Sequence, residues 1–449
     1  MTHALTMLTD RIVLIVFGCS LCLASSLVCA NKLTLTDAVD YALHNNPDLK
    51  IMQERIGQAE AQLGVALASF YPQIKTRLSY EHTDNPSRAF GMIISQRRLN
   101  LNNTDFNHPG GTDNYRPELI TNYSLFRGGQ DYQLSKAASL GVDVARLDQS
   151  ALRNLLTQAV QSTFYGYLAA VESHKVALRS MESVSSELKD SRSRYQAGTV
   201  LKSDVLSLDV QLAEVKDEEI KTANAIELVR TGLKTLLGLD AEQTLEIVPE
   251  NNWQLPEQVP DYDALLDEAF SQRPEMLAAS KRVKISRRRL SAAQGAYLPR
   301  ANAYLSYGSD SKNLEFSRSR DNVTAGVQLE MDIFSGFATR QKVNKAKHQL
   351  VEAETAVTKT RLQIENDVKT AYLKLKEALA RLDVTRASVL AAEEALRIVT
   401  EQRQAGAATV TRYIEAQVAR DKALSRSIAA RFDALSAQAQ LNQAIGHWK

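Results

Sequence analysis

Apolar residues recur at alternating steps of three and four over several long segments of the chain. The clearest runs are Val160, Phe164, Tyr167 and Val171; Val205, Leu208, Leu212 and Val215; and Val368, Tyr372, Leu375, Leu379 and Leu382. A sustained period near 3.5 residues predicts helices that pack along their length against neighbouring helices. Residues 337–405 contain neither Pro nor Gly, so one such helix has room to extend for roughly 100 Å.

Four shorter segments between the helical ones alternate apolar and polar residues. They cover about 70–82, 115–126, 298–308 and 322–334. A period of two predicts β-strands with one apolar and one polar face. The polar faces carry charges of both signs and an amide, and their candidate lumen-lining residues are Lys75, Arg77, Glu81, Glu118, Gln328, Glu330 and Asp332. The mixture of positive and negative charges suggests a general conduit rather than one selective for a single kind of solute.

Strands of about ten residues with this alternation are typical of a transmembrane barrel with a wet interior. A soluble four-stranded sheet with one face on a core is the alternative. The charged polar faces, and the lack of a separate helical layer to cover the apolar faces, favour the barrel. Four strands cannot close a barrel, and lipid does not tolerate an open edge. The chain is therefore expected to oligomerise, with two copies supplying eight strands and three copies supplying twelve.

The chain repeats itself. Gln-Ala-Gly occurs at 196–198 and again at 404–406, an offset of 208 residues, whereas earlier matches such as Pro47 with Pro274 have an offset of 227. The change places a 19-residue insertion in the first copy, between Tyr80 and Phe126, where it is expected to enlarge an outer loop; a phage or antibody site and a narrowing of the mouth are the alternatives for its role. The predicted units are a first repeat at 31–248, with a helical hairpin at 128–238 and a tip near 197–201, and a second repeat at 249–449, with a hairpin at 337–446 and a tip near 405–409. The predicted fold class is mainly α with β.

The first 30 residues predict a secretory signal peptide. Arg11 precedes an apolar run that ends in Val28-Cys29-Ala30, whose residues at 28 and 30 fit a cleavage site before Asn31. A membrane anchor helix is the alternative, but the run is short for one. All three cysteines lie in this segment, so disulfides and thiolate chemistry are not expected in the mature chain.

Charge and motifs exclude several functions. A formal net charge of +2 gives no basic footprint for nucleic acid. The seven histidines show no metal-ligand spacing, and the Gly128-Gly129 pair lacks the Gly-Lys-Ser/Thr of a phosphate loop. We interpret that pair as a strand-to-helix bend and His174 as a packed polar residue. No enzyme activity and no cofactor are predicted.

The duplicated order of strands and helices resembles the TolC family of outer-membrane efflux and secretion channels, over essentially the whole mature chain. The residues that carry the resemblance are Ala42, Asn46-Pro47, Leu49, Phe126, Gly128-Gly129, Ala197-Gly198, Phe334, Gly336 and Ala405-Gly406. The resemblance implies a homotrimer with a twelve-stranded barrel in outer-membrane lipid and a helical tunnel extending into the periplasm. It also implies an equatorial region, assigned to 249–261 and the C-terminal end, and a passive exit duct for tripartite efflux or type I secretion.

The family resemblance also implies roles for the hairpin tips. The turns at Ala197, Gly198, Thr199 and at Ala405, Gly406, Ala407 are expected to close the tunnel and to contact a periplasmic adaptor that is joined to an inner-membrane transporter. Glu415 corresponds to an acidic residue facing the pore axis. Arg412 replaces a second acidic residue of some members and would offset the negative ring. Asp204 and Arg403 are predicted to form a salt bridge that holds the tip closed.

A non-channel periplasmic coiled-coil adaptor or surface structural protein is the alternative function. Such a protein has no need of strands with an apolar outer face of membrane length, so the four alternating strands favour the channel.

Overall fold

Residues 32–447 are described by a computed structural model of the chain, apart from residues 103, 106, 241, 249–254, 257 and 316. The predicted signal peptide lies outside the described residues, as does part of the predicted equatorial stretch at 249–261. The helices are α1 (Leu35–Asn45), α2 (Pro47–Leu67), α3 (Pro86–Ser95), α4 (Gln130–Gln196), α5 (Lys202–Leu237), α6 (Tyr262–Gln272), α7 (Pro274–Gly295), α8 (Ala338–Gln404) and α9 (Val410–Ile445). The strands are β1 (Lys32–Leu33), β2 (Gln73–Thr83), β3 (Thr112–Arg127), β4 (Glu246–Ile247), β5 (Arg300–Ser309) and β6 (Asp321–Glu330).

Two helical hairpins of equal dimensions dominate the molecule. The long helices α4 and α8 each have 67 residues, and the returning helices α5 and α9 each have 36. At 1.5 Å per residue a long helix extends for roughly 100 Å. The internal repeat predicted from the sequence is thus seen directly as two copies of one hairpin. Among the described residues, no helix has the length and apolar character needed to cross a membrane.

Glycine ends all four hairpin helices in the same way. At the first tip, Gly198 has φ +73° and its N–H donates to the Tyr195 carbonyl, while the N–H of Thr199 donates to the Arg194 carbonyl. This pair of bonds is the Schellman motif, which satisfies helix-end carbonyls and needs a left-handed residue. The same bonds form at the second tip, and the helix ends at Gly238 and Gly446 also have left-handed glycines with this pattern.

The two cores lie at the base of the hairpins. One packs α1 against α4 and α5 through residues that include Val160, Phe164 and Leu233. The other packs α6 against α8 and α9 around Val368 and Leu375. His174, on the face of α4 toward α5, lies 3.1 Å from the Thr222 hydroxyl, as expected for a packed polar side chain.

The four longer strands form one antiparallel sheet in the order β2-β3-β5-β6. The β3–β5 pairing joins the two copies, and within the described chain the outer edges of β2 and β6 have no partner. The apolar face of the sheet is exposed, with Ile74 at 64%, Val327 at 69% and Leu329 at 72% accessible.

Three predicted strand limits were wrong by three or four residues. The second strand begins at Thr112 rather than near residue 115. The first strand begins at Gln73 rather than near residue 70, because Ala68–Phe70 form a 3-10 turn that continues α2. The last strand ends at Glu330 rather than at 334, because its partner β5 begins at Arg300, opposite Glu330. Asp332 therefore lies beyond the strand.

The bend from β3 into α4 passes very close to the end of α7. Gly128 has φ +62°, and a Cβ added there would lie 2.0 Å from the carbonyl oxygen of Gly295. A Cβ added at Gly295 would in turn lie 2.3 Å from the carbonyl oxygen of Gly128. Only glycine fits at both positions, so this crossing fixes the sheet against the helices.

Candidate functional site

The two hairpin turns are open to solvent. All six turn residues, Ala197, Gly198, Thr199, Ala405, Gly406 and Ala407, are exposed. Their backbone groups are held by the Schellman bonds, so the turns have a fixed shape although little packs over them. Small exposed side chains at these positions leave the backbone accessible to another protein.

A small apolar cluster just behind the turns joins the two hairpins. Leu188 of α4, Leu208 of α5 and Val410 of α9 are buried together. Val410 is the first residue of α9. The second hairpin is therefore packed against the first hairpin directly behind its own tip.

Arg403 lies beside this cluster and is 7% exposed. Its Nε is 3.3 Å from Glu187 Oε1, and its terminal nitrogen donates to the Ser191 hydroxyl at 3.3 Å. The predicted Asp204–Arg403 salt bridge is therefore wrong within the chain: the guanidinium turns to α4 rather than to α5. The physical reason is burial, because a cation inside the hairpin contact requires a nearby anion and donor-acceptor partners.

A polar seam continues from Arg403 along the contact between α4 and α9. The Ser180 hydroxyl donates to Asp421 Oδ2 at 2.6 Å, and Gln417 Nε2 lies 3.3 Å from the same oxygen. The hydroxyls of Ser183 and Tyr413 are 3.2 Å apart. We define the polar seam as Ser180, Ser183, Glu187, Ser191, Arg403, Tyr413, Gln417 and Asp421.

Of these eight residues, only Arg403 was predicted from the sequence. Gln417 and Asp421 are four residues apart, on one face of a helix whose seam is rich in alanine, and that spacing is the signal the sequence offers. The matching face of α4 is 230 or more residues away in the chain, so no local pattern could have joined the two halves.

Burial raises the pKa of the Asp421 carboxyl above its ordinary value of 3.8. The hydrogen bond from Ser180 and the charge of Arg420, whose guanidinium is 3.2 Å from Asp421 Oδ1, act in the opposite direction. Burial also raises the pKa of the Tyr413 phenol, so Tyr413 stays neutral and the ionised Asp421 carries a desolvation cost at neutral pH.

We expect Asp421 to make the hairpin contact more stable in mild acid. Its pKa is raised in the folded state, so its contribution is fully present below 3.8 and is lost as the pH rises through the raised value. Thermal unfolding of the natural protein and of Asp421→Asn, followed from acidic to neutral pH, tests this. Asn cannot ionise, so the variant should gain most over the natural protein at neutral pH. Identical pH profiles for the two proteins would contradict the expectation.

Arg412 and Glu415 form an exposed pair one turn into α9. Arg412 Nη1 is 3.3 Å from Glu415 Oε2, and the two side chains are 66% and 59% exposed. The structure thus brings together the two residues whose charges were expected to offset each other. An exposed i,i+3 pair contributes little stability, about 0–1 kcal/mol, so both groups remain available to solvent and ions.

The polar face of the sheet carries most of the predicted lumen residues. Arg77 pairs with Glu118 at 3.3 Å, and Glu81 pairs with Arg88. Arg300 lies 3.9 Å from Glu330 and 3.1 Å from Asp332. Lys75 and Gln328 are exposed and stand apart from these pairs. The mixed charges are therefore largely neutralised in pairs along the face.

Two long helical hairpins are packed together just behind their tips, and they are joined to one sheet whose outer edges have no partner among the described residues. A model of the outer membrane efflux protein family matches residues 38–239 and 265–447. The chain belongs to this family. Its members are outer-membrane channels for efflux and type I secretion, so the protein is a transport duct and not an enzyme.

Individual relatives are distant in sequence but cover most of the chain. Protein CyaE of Bordetella pertussis is 24% identical over 78% of this chain and 70% of CyaE. The alkaline protease secretion protein AprF of Pseudomonas aeruginosa is 22% identical over 92% of this chain and 84% of AprF. The crystal structure of the CmeC outer membrane channel of Campylobacter jejuni has a TM-score of 0.79 at 19% identity, over 92% of this chain and 85% of that chain. The fold is thus retained where the sequence has diverged.

Proposed function

We propose that three copies of the chain assemble into a passive exit duct that crosses the outer membrane and extends into the periplasm. The observation that carries the proposal is the four-stranded sheet, whose apolar face is exposed and whose β2 and β6 edges have no partner in the described chain. Pairing β2 of one copy with β6 of the next would remove every open edge, as lipid requires. Three copies would give a twelve-stranded barrel wide enough for a lumen.

The hairpins would then form the periplasmic tunnel, with six tips around its aperture. The exposed turns at 197–199 and 405–407 are the surface that we assign to a periplasmic adaptor joined to an inner-membrane transporter. The chain is a duct, so the energy for export and the choice of cargo fall to those partners. AprF is named for secretion of a protease, which favours a type I secretion machine; a tripartite efflux pump is the second assignment.

The aperture would be lined by charges from α9. Glu415 and Arg412 are both more than half exposed, and a trimer would bring three of each near the axis. Like charges held close together repel one another, and the paired arginines reduce that repulsion. We therefore propose a weakly cation-selective aperture rather than a strongly selective one.

Conductance of the purified protein in planar bilayers tests both parts of this proposal. The natural protein is expected to migrate as a heat-modifiable trimer and to conduct with a modest preference for cations. Arg412→Ala should increase that preference, because it leaves the Glu415 ring unopposed, and Glu415→Gln should reverse it, because it leaves the Arg412 ring unopposed.

Lys422→Ala, a charge removal farther along α9 from the tip, is the matched control and should leave selectivity unchanged. A soluble periplasmic monomer without conductance would defeat the channel and favour a non-channel coiled-coil protein. If the trimer conducts but neither substitution changes its selectivity, the proposed charged ring at the aperture is contradicted and the proposed channel is not.

A further inference from the structure

The segment inserted between β2 and β3 folds back over the sheet instead of projecting away from it. Its helix, α3, begins after Asn85, whose side-chain oxygen accepts from the N–H of Arg88 at 3.3 Å. Ala89 and Gln96 are fully buried and Met92 nearly so. One side of α3 is therefore buried, so the helix is packed against the rest of the protein.

Hydrogen bonds show which face of the sheet the segment covers. Gln96 Nε2 donates to the Asp113 carbonyl at 2.7 Å and to Asn114 Oδ1 at 2.9 Å. Asn114 alternates in phase with Glu118 along β3 and so lies on the polar face. The Arg88 guanidinium pairs with Glu81, opposite Asn114 on the same face. The segment therefore lies over the polar face, at the end of the sheet away from the helical hairpins.

A buried carboxylate anchors this arrangement. Asp310, which follows β5, is 2% exposed. It accepts from Asn114 at 2.7 Å, from Arg116 at 3.0 Å and from Asn322 at 2.9 Å. These bonds tie β3 and β6 to the end of β5, and Gln96 joins the network through Asn114. A fully partnered buried network of this kind specifies one geometry.

The segment also reaches the far edge of the sheet. Arg97 has φ +54° and its N–H donates to the Ile94 carbonyl, so the chain turns sharply after α3. Its guanidinium then donates to the carbonyl of Asp321, the first residue of β6, at 3.0 Å. Because β2 and β6 are the two edges of the sheet, the segment extends across the end of all four strands.

We propose that residues 86–98 form a cap that narrows the outer mouth of the channel and sets the size of solute that can pass there. The proposal rests on the proposed function, in which the polar face lines the lumen. Since the cap lies over that face, a trimer would place three caps inside the mouth. This constriction is at the end opposite the hairpin tips and is built only by the first copy, because the second lacks the insertion.

Accessibility of a single cysteine from outside the cell tests the cap. The three natural cysteines lie within residues 1–30, so Gln328→Cys, on the exposed polar face of β6, provides one thiol beyond the cap. Thr83 and Thr112 are directly paired, so residues 84–111 can be replaced by an Asn-Gly turn that suits a two-residue hairpin. Intact cells are treated with a small maleimide or with a bulky polyethylene-glycol maleimide.

The small reagent is expected to label the introduced thiol at similar rates with and without the cap. The bulky reagent should react faster by roughly an order of magnitude when the cap is replaced by the turn. Gln96→Ala, which keeps the segment but removes its anchor, should give an intermediate rate and serves if the turn variant does not assemble. Gly91→Ala adds a Cβ that meets nothing within 4 Å and should label at the natural rate.

Equal rates of bulky labelling in the natural, Gln96→Ala and turn backgrounds would overturn the cap. If the small reagent labels the introduced thiol in none of them, the polar face does not line a lumen. The proposed channel then fails, and the cap fails with it.

Discussion

Replacing Gly128 with alanine is expected to abolish assembly of the protein in the outer membrane. The new Cβ would lie 2.0 Å from the Gly295 carbonyl oxygen, a backbone atom that cannot rotate away. Position 128 also has φ +62°, and a non-glycine residue there costs roughly 1–3 kcal/mol. Relief of the clash requires the β3–α4 bend and the end of α7 to separate, which moves the sheet relative to the hairpins.

Two neighbouring substitutions separate strain from collision. Gly129→Ala has the same kind of strain, since φ is +73°, but its Cβ meets nothing within 4 Å. Gly295→Ala has the collision, at 2.3 Å from the Gly128 oxygen, without a left-handed backbone. The amount of heat-modifiable oligomer in outer-membrane fractions should fall sharply for Gly128→Ala and Gly295→Ala and only slightly for Gly129→Ala. A severe loss in Gly129→Ala with a mild one in Gly295→Ala would show that the close approach is unimportant.

Substituting Arg403 by alanine is expected to separate the two hairpin tips, which we propose to form the periplasmic aperture. The change leaves Glu187, whose side chain is 19% exposed, without its cation inside the hairpin contact. Removing one partner of a buried pair costs about 3 kcal/mol or more. Separation of the hairpins would let Glu187 reach water, so the substitution favours the separated state, by about a hundredfold for a cost of this size.

Single-channel recordings and sensitivity of cells to a large antibiotic measure this effect. Arg397→Ala, on the same helix, is the matched control, because its pairs with Glu394 and Glu401 are exposed and contribute little to stability. The double variant Glu187→Leu/Arg403→Met replaces both charges by apolar groups and should restore much of the closed state. If Arg403→Ala and Arg397→Ala behave alike, the buried pair does not hold the tip.

The hydrophobic pattern predicted the helices and hairpins well, because a sustained period and a shortage of Pro and Gly leave few alternatives. The glycines at 198 and 406 located both turns, because each interrupts a long segment that has little other Gly or Pro. Strand ends were less accurate: the chain from 331 to 334 keeps its alternation after β6 has lost its partner. A strand ends where its neighbour no longer pairs with it, and the sequence of the strand alone does not show where that happens.

The tip was predicted only in part. Arg412 and Glu415 are one turn apart on a single helix, so their proximity follows from the sequence. Arg403 was placed against Asp204 by resemblance alone, whereas the structure pairs it with Glu187, more than 200 residues away. Likewise, the position of the insertion was clear, but its return over the polar face depends on Gln96 meeting Asn114 and on Arg97 reaching Asp321.

The polar seam makes the two halves of the repeat unequal in a way that bears on symmetry. At an offset of 208, Glu187 corresponds to Ala395, Tyr413 to Val205 and Asp421 to Ala213. In the proposed ring of three, hairpin contacts within a copy would hold these three polar side chains, while contacts between copies would hold apolar side chains at the same three positions. The six hairpins would therefore form three tightly packed pairs, one in each copy. The three contacts between neighbouring copies would have fewer hydrogen bonds. Such a ring is expected to dilate with threefold rather than sixfold symmetry, with each pair moving as a unit.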